Sequence, residues 1–410
     1  MRRHSLVLMI VFLNFGQSTS LGPAAAEPND AADKSRELST SNPDVPAAPF
    51  TLEWTQVTPM DAQRHVWDYI EYLPRLNRLI AVEIAADGIG KRNNATFTLW
   101  EFSEQGKLIS KVLLAKPPPE TIIPLSGGRI LDAVALPDGE LLIIAKIDNE
   151  NTTSLLRLSQ DRTKISTKAL PKKLLGSQFY KGVTFQSDQL LLVGVQEQPM
   201  VVCIDFKGNV VWARSYDRPK TMDWFTDVIV MRNRKNFIVA GQSGHFNKFG
   251  GGPSDVWLLR CDADGKVVDE KLFPGRTPHI AGPLEGGGVG MIFDLRNDIM
   301  SDQSVALVDA SLNVVWQKSA DISATMAERP AIAQAGHDHF VIADITTNQL
   351  RVRQYDLHGN IVKNYRKAFG DGDRTRGSVR VAVHGDRVFV GTDLLQVKEA
   401  TLYGFGAGSE

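Results

Sequence analysis

The sequence predicts an all-β fold, a seven-bladed β-propeller, and three observations predict it. A unit of two apolar strands and a turn recurs roughly every fifty residues, the mark of supersecondary units that bury their apolar faces only against one another. Most units end in a hairpin whose turn carries Gly where a positive φ is needed. The last unit is one strand short, and a spare strand-like segment, Phe50 to Val57, stands ahead of the first. Four-stranded sheets repeated about an axis make a propeller. A strand from the start of the chain that completes the last sheet would close the ring and remove its free edge. Six or eight blades are the alternatives this pattern leaves open.

Taken in order, residues 1–26 read as a signal peptide. Arg2 and Arg3 form a positive start, Leu6 to Phe15 an apolar stretch, and Ala24-Ala25-Ala26 a small-residue cleavage site. The apolar stretch falls short of the roughly 20 residues that span a bilayer. Residues 27–49 are rich in Ala, Pro, Ser, Asp and Asn and read as a flexible linker that buries too little to order itself. Residues 50–410 are the propeller. Its second strands align as RLIAVEI (from Arg78), ELLIIAKI (Glu140), QLLLVGV (Gln189), NFIVAG (Asn236), GVGMIFD (Gly288), HFVIAD (His339) and RVFVGTD (Arg387). Apolar segments such as ILDAVALPDG (Ile130 to Gly139), FTDVIV (Phe225 to Val230) and SVRVAV (Ser378 to Val383) precede them. Turn-linked pairs such as VVCIDFKGNVV, VWLLRCDADGKVV and VRQYDLHGNIV follow. β-branched and aromatic residues between turn residues are what strands are made of.

Forty-six Lys and Arg against 47 Asp and Glu leave a net charge of −1 with no long run of either sign. A nucleic-acid or membrane-surface partner would need clustered cations, so neither is expected. Cys203 and Cys261 are expected as two buried core thiols: strand residues alternate faces, and the two stand five and four residues before Gly208 and Gly265.

The segment GGGPSDVWLLRCDADGKVVDEKLF (Gly250 to Phe273) resembles the repeat of exported bacterial β-propeller proteins, in which Gly-Ser-Asp-aromatic precedes an Asp-x-x-Gly turn. The likeness is close in the fourth unit and extends to the outer hairpins of the third, fifth and sixth. CIDFKGNVVW is also similar to the tryptophan-docking repeat of the quinoprotein-like propeller superfamily, which includes quinone-dependent dehydrogenases and non-catalytic outer-membrane assembly factors. This chain departs from the dehydrogenases in lacking an adjacent cysteine pair. The resemblance implies a fold, which does not specify a function.

Trp212 and Trp316 occupy one repeat position and are expected between blades, as packing. Asp262-Ala263-Asp264-Gly265 lacks the spacing of a calcium loop and reads as a hairpin turn, and His337 and His339 read as turn residues without a third metal ligand. The nucleophile elbow, zinc-protease and phosphate-loop signatures are missing from the sequence. No catalytic residue, cofactor or metal is therefore assigned.

One pattern remains. Loops leading into the first strands carry Trp67, Asp68, Arg129, Tyr180, Lys181, Asp223, Trp224, His279, Arg329 and Arg376; the ends of the second strands carry Asp87, Asp148, Glu197, Asp294, Asp344 and Asp393. Both sets fall on one propeller face. The acids are either turn residues that satisfy backbone N–H groups or part of a polar mouth. The loop from Gln242 to Ser254, with His245, Phe246 and Phe249, is the longest on that face. The expected ligand-binding set is Trp67, Arg129, Lys181, Trp224, His245, Arg329 and Arg376, its cations favouring a carboxylated or phosphorylated ligand. The function expected is that of a periplasmic or secreted, monomeric, non-catalytic binder of a protein, peptide or envelope glycan, not inserted in a membrane once mature. The alternative is a propeller enzyme, a sugar lyase or hydrolase or an oxidoreductase, with its active site in the channel.

Overall fold

The computed structural model describes residues 48–59, 64–86, 96–115, 130–146, 153–171, 174, 177–218, 221–244, 254–295, 301–324, 330–346, 349–369, 377–394 and 399–407. Strand β1 (Ala48–Pro59) stands apart from the first sheet in the chain. Blade 1 is β2 (Arg64–Leu73), β3 (Arg78–Ala86), β4 (Thr96–Phe102) and β5 (Leu108–Ala115). Blade 2 is β6 (Ile130–Ala135), β7 (Leu141–Lys146), β8 (Thr153–Leu158) and β9 (Ile165–Ala169). Blade 3 is β10 (Gln178–Thr184), β11 (Gln189–Val195), β12 (Pro199–Asp205) and β13 (Val210–Ser215). Blade 4 is β14 (Met222–Val230), β15 (Asn236–Gly244), β16 (Ser254–Asp262) and β17 (Val267–Pro274). Blade 5 is β18 (Arg276–Ala281), β19 (Val289–Asp294), β20 (Ser301–Val308) and β21 (Val314–Ala324). Blade 6 is β22 (Ala331–Ala335), β23 (His339–Thr346), β24 (Gln349–Asp356) and β25 (Ile361–Ala368). The final set is β26 (Gly377–His384), β27 (Arg387–Leu394) and β28 (Glu399–Ala407), joined by β1.

Within each set the strands pair antiparallel in chain order. The first strand of each set touches the first strand of the next, from β2 through β6, β10, β14, β18, β22 and β26 and back to β2. That ring is a propeller around a channel. Second and third strands are buried on both faces, as the LLIIAK pattern of β7 shows, because each sheet packs against a neighbour on either side. The core is correspondingly divided into apolar layers between blades, such as Phe185, Val193, Phe225, Phe237 and Trp257 between blades 3 and 4. Cys203 and Cys261 are free, buried thiols in that layer; burial pushes both up to about 12.

The Asp-x-x-Gly hairpins satisfy themselves. Asp205 Oδ1 accepts the N–H groups of Lys207 (2.9 Å) and Asn209 (2.7 Å), and Asp262 and Asp356 repeat the arrangement, as does Asp309, whose turn has Leu312 in the place of the glycine. The Asp262 turn is thus a hairpin turn. Trp212 stacks on Phe237 of the next blade, and Trp316 on Phe340 while its Nε1 donates to Leu357 O (2.7 Å). Both are inter-blade packing. Trp54 of β1 repeats the arrangement across the ring closure: it stacks on Phe102 of blade 1 and donates to Glu104 O (3.4 Å). A side chain on Gly106 would overlap its ring.

Strand β1 runs antiparallel to β28 from Phe50↔Ala407 to Pro59↔Glu399. Its first residues, Ala48 and Pro49, pair parallel with Lys363 and Asn364 of β25. The strand therefore begins two residues inside the stretch that composition reads as linker. Buried ions join blades elsewhere. Glu101 of blade 1 is fully buried and accepts from Arg162 Nε (3.1 Å) and Nη2 (2.9 Å) of blade 2 and from Arg78 Nη1 (3.1 Å).

Candidate functional site

The channel is lined by the first strands, and these carry a shared irregularity. The pairing of strands one and two shifts by one residue after Trp67, Ile130, Phe179 and Phe225 in blades 1 to 4. Such a bulge inserts an extra residue and re-aims the side chain that follows it. The residues beyond the bulges are Tyr69, Asp132, Lys181 and Asp227, and beyond a wider irregularity in blade 5, His279. Blades 6 and 7 place Ala331 and Arg380 in the equivalent register. Glu71, two residues after Tyr69, shares its face. Lys181 of blade 3 interacts electrostatically with Glu71, Asp132, Asp227 and Arg380. Only a position near the axis lets one side chain reach blades 1, 2, 4 and 7 together.

Tyr69 Oη donates to Asp132 Oδ1 (3.2 Å), which also accepts the N–H of Ala133 (2.9 Å), while Asp132 Oδ2 is buried without a partner. Asp227 accepts from Val228 N (2.9 Å) and Ile280 N (3.1 Å) and lies 3.8 Å from His279 Nδ1. Arg380 Nε donates to Asp68 O (2.9 Å). Burial pushes the Glu71 carboxyl up to about 7, with Lys181 pulling against it, and the Asp132 carboxyl up to about 6 against Lys181, the Ala133 N–H and the Tyr69 hydroxyl. Burial works against the Lys181 ammonium, yet Asp227, Glu71 and Asp132 outweigh it and the repulsion of Arg380, so the lysine ends above its ordinary value. The cluster can hold a proton among two carboxyls near neutrality.

A cleft of about 300 Å³ opens where strands one begin and strands two end, between blades 3 and 4. Tyr180 and Trp224 supply aromatic walls, Glu197, Asp217 and Asp223 carboxylates, and Met222, 63% exposed, a flexible apolar lip. Asp223 is only 7% exposed, and its Oδ1 is buried without a partner. Thr221 Oγ1 is 2.7 Å from Asp223 Oδ2 but also 2.8 Å from Arg218 O. One hydroxyl hydrogen cannot serve both.

The structure divides the expected ligand-binding set. Trp224 lines the cleft and Lys181 the channel. Trp67 is corrected: at 1% exposure it is core between blades 7 and 1, edge-on to Trp100, and presents no face to a ligand. Arg129, His245, Arg329 and Arg376 lie outside the described residues, as do Asp87, Asp148, Phe246 and Phe249. Tyr180, Lys181, Asp223 and Trp224 belong to the first strands rather than to loops before them. Among the strand-two acids, Asp344 is buried with Arg351 and Arg353 at 2.8 Å each, and Asp393 accepts from Ser378 N and Oγ. Both are structural. Of the described strand-two acids, Glu197 alone lines the cleft. Sequence reasoning missed Tyr69, Glu71, Asp132, Asp227 and Arg380. For Asp132 and Arg380 the signal was a lone charged residue among apolar ones in the first strand, as in ILDAVA and SVRVAV.

No family description and no curated protein sequence matches the chain. Solved structures do. The β-propeller domain of the Trilobed protease from Pyrococcus furiosus is 11% identical, with 85% of this chain and 95% of that one covered and a TM-score of 0.49. The Dos1 propeller is 12% identical over 86% and 94% of the two chains, with a TM-score of 0.50. A puromycin-hydrolyzing peptidase from Mycobacterium tuberculosis is 13% identical, with 84% of this chain covered and a TM-score of 0.52; the alignment spans 52% of that chain. At such identities the last two likenesses speak to the fold alone, and the fold is a β-propeller.

Proposed function

We propose that this chain is an exported, non-catalytic binding propeller that receives a protein, peptide or glycan segment at its mouth. The cleft between blades 3 and 4 carries the reading. It combines two aromatic walls, a flexible methionine and three carboxylates on a scaffold of paired strands, the mixture of apolar surface and a few placed polar groups that ligand sites use. The sequence of residues 1–26 supports export, and no helix among the described residues is long and apolar enough to cross a membrane. The test is retention of a partner from the exported fraction of native cells by the wild type and by a Tyr180→Ala/Trp224→Ala double variant. Loss of the partner at an unchanged melting temperature supports the reading; equal retention overturns it.

A second reading, catalysis in the channel, is favoured by Glu71, Asp132 and Lys181, whose raised carboxyls beside a lysine match what general acid–base chemistry requires.

A further inference from the structure

The cleft has a chemical preference that its geometry makes readable. Its described lining contains Glu197, Asp217 and Asp223 and no Lys or Arg. On the blade 2 side, Lys146 Nζ lies 5.3 Å from the Tyr180 ring centroid. Glu197 and Asp217 are exposed at the lip, and solvated carboxylates alone would mean little. Asp223 differs. It is more than nine-tenths buried, it lines the cleft, its Oδ1 has no donor, and the single donor near Oδ2 is shared with a carbonyl. A buried carboxylate oxygen without a donor is costly, and the cost is removed by a donor that arrives from outside. Beside it, Trp224 and Tyr180 offer π surfaces, which attract cations as well as apolar stems.

Resting on the mouth-binding reading, we propose that the cleft between blades 3 and 4 is a receptor for a cationic side chain, the ammonium of Lys or the guanidinium of Arg, presented by a peptide segment. The head would donate to Asp223 Oδ1, with its aliphatic stem against Trp224, Tyr180 and Met222. Glu197 and Asp217 would draw flanking cations toward the lip. The described lining of the cleft is acidic and suits a cation, whereas Arg129, Arg329 and Arg376, whose expected ligand was an anion, lie outside the described residues.

Titration calorimetry of the full chain with hexalysine, hexaarginine, hexaglutamate and a glucosamine hexamer tests it. The two cationic peptides should bind and hexaglutamate should not. Asp223→Asn and, separately, Trp224→Ala should each weaken the cationic peptides at least tenfold, with Asp223→Asn holding the wild-type melting temperature. Undiminished affinity in Asp223→Asn, absence of binding by both cationic peptides, or binding of the glucosamine hexamer alone overturns the proposal. The mouth-binding reading fails separately: if native partner retention survives the Tyr180→Ala/Trp224→Ala change, that reading is lost. If retention is abolished while the cationic peptides ignore Asp223, only the cation is lost.

Discussion

Replacing Glu71 with Gln removes one ionisable group from the channel and leaves the others in place. The groups that act on it are Tyr69 on its own strand, Asp132 on β6 and Lys181 on β10, and Lys181 in turn meets Asp227 on β14 and Arg380 on β26. Burial raises the Glu71 carboxyl from 4.5 to about 7. The sign follows from that direction: the neutral acid is favoured in the folded chain, so its contribution is fully present below pH 4.5 and is lost as pH rises to about 7. At roughly 1.4 kcal/mol per pKa unit, the loss amounts to about 3 kcal/mol by pH 8. That is an upper bound, since Glu71 keeps some contact with the channel. The variant cannot ionise, and Lys181 keeps Asp132 and Asp227. Asp132 titrates in both proteins, so it largely cancels from the difference. Urea midpoints at pH 4.5, 6, 7 and 8 measure it. Wild type and variant should be close at the lowest pH, and the variant should gain steadily on the wild type up to pH 8. Parallel profiles, or a variant that falls behind as pH rises, would refute a channel carboxylate whose burial outweighs the attraction of Lys181.

Other perturbations address the frame that holds the site. Trp54→Ala should cost about 3 kcal/mol of stability by urea denaturation, because the ring spans the closure between β1 and blade 1, whereas Leu52→Ala at an exposed position of the same strand should cost under ~1 kcal/mol. Glu101→Ala leaves Arg162 and Arg78 without their carboxylate and should destabilise by about 3–5 kcal/mol; a loss near zero would mean that the ions find other partners.

The architecture was legible because its causes repeat. A second strand buried on both faces reads the same in every blade, and the Asp of each Asp-x-x-Gly turn is selected by the same backbone N–H groups. Trp54 holds on the closing strand the outer-strand position that Trp212 holds in blade 3, opposite the third strand. The channel was not legible, because the residues the blades contribute to it differ from blade to blade and show no repeat in the sequence. The bulges obscured it further. Strict alternation puts Trp67 and Tyr69 on one face, but the extra residue at Asp68 turns them to opposite sides, so Trp67 enters the layer between blades 7 and 1 and Tyr69 the layer between blades 1 and 2. The cleft was half legible: Tyr180, Asp223, Trp224 and Glu197 stood out as polar or aromatic residues near strand ends. The buried, donor-poor state of Asp223 depends on Thr221 and Arg218 and has no sequence signature.

The claim that the mouth between blades 3 and 4 is where this propeller meets its ligand can be tested at a single position. A photo-crosslinking amino acid in place of Met222, the exposed lip of the cleft, should yield a discrete adduct in native exported fractions. The same group in place of Val315, similarly exposed at 56% on the outer strand of blade 5, should yield none. Adducts from position 315 alone, or from both positions equally, would contradict the account.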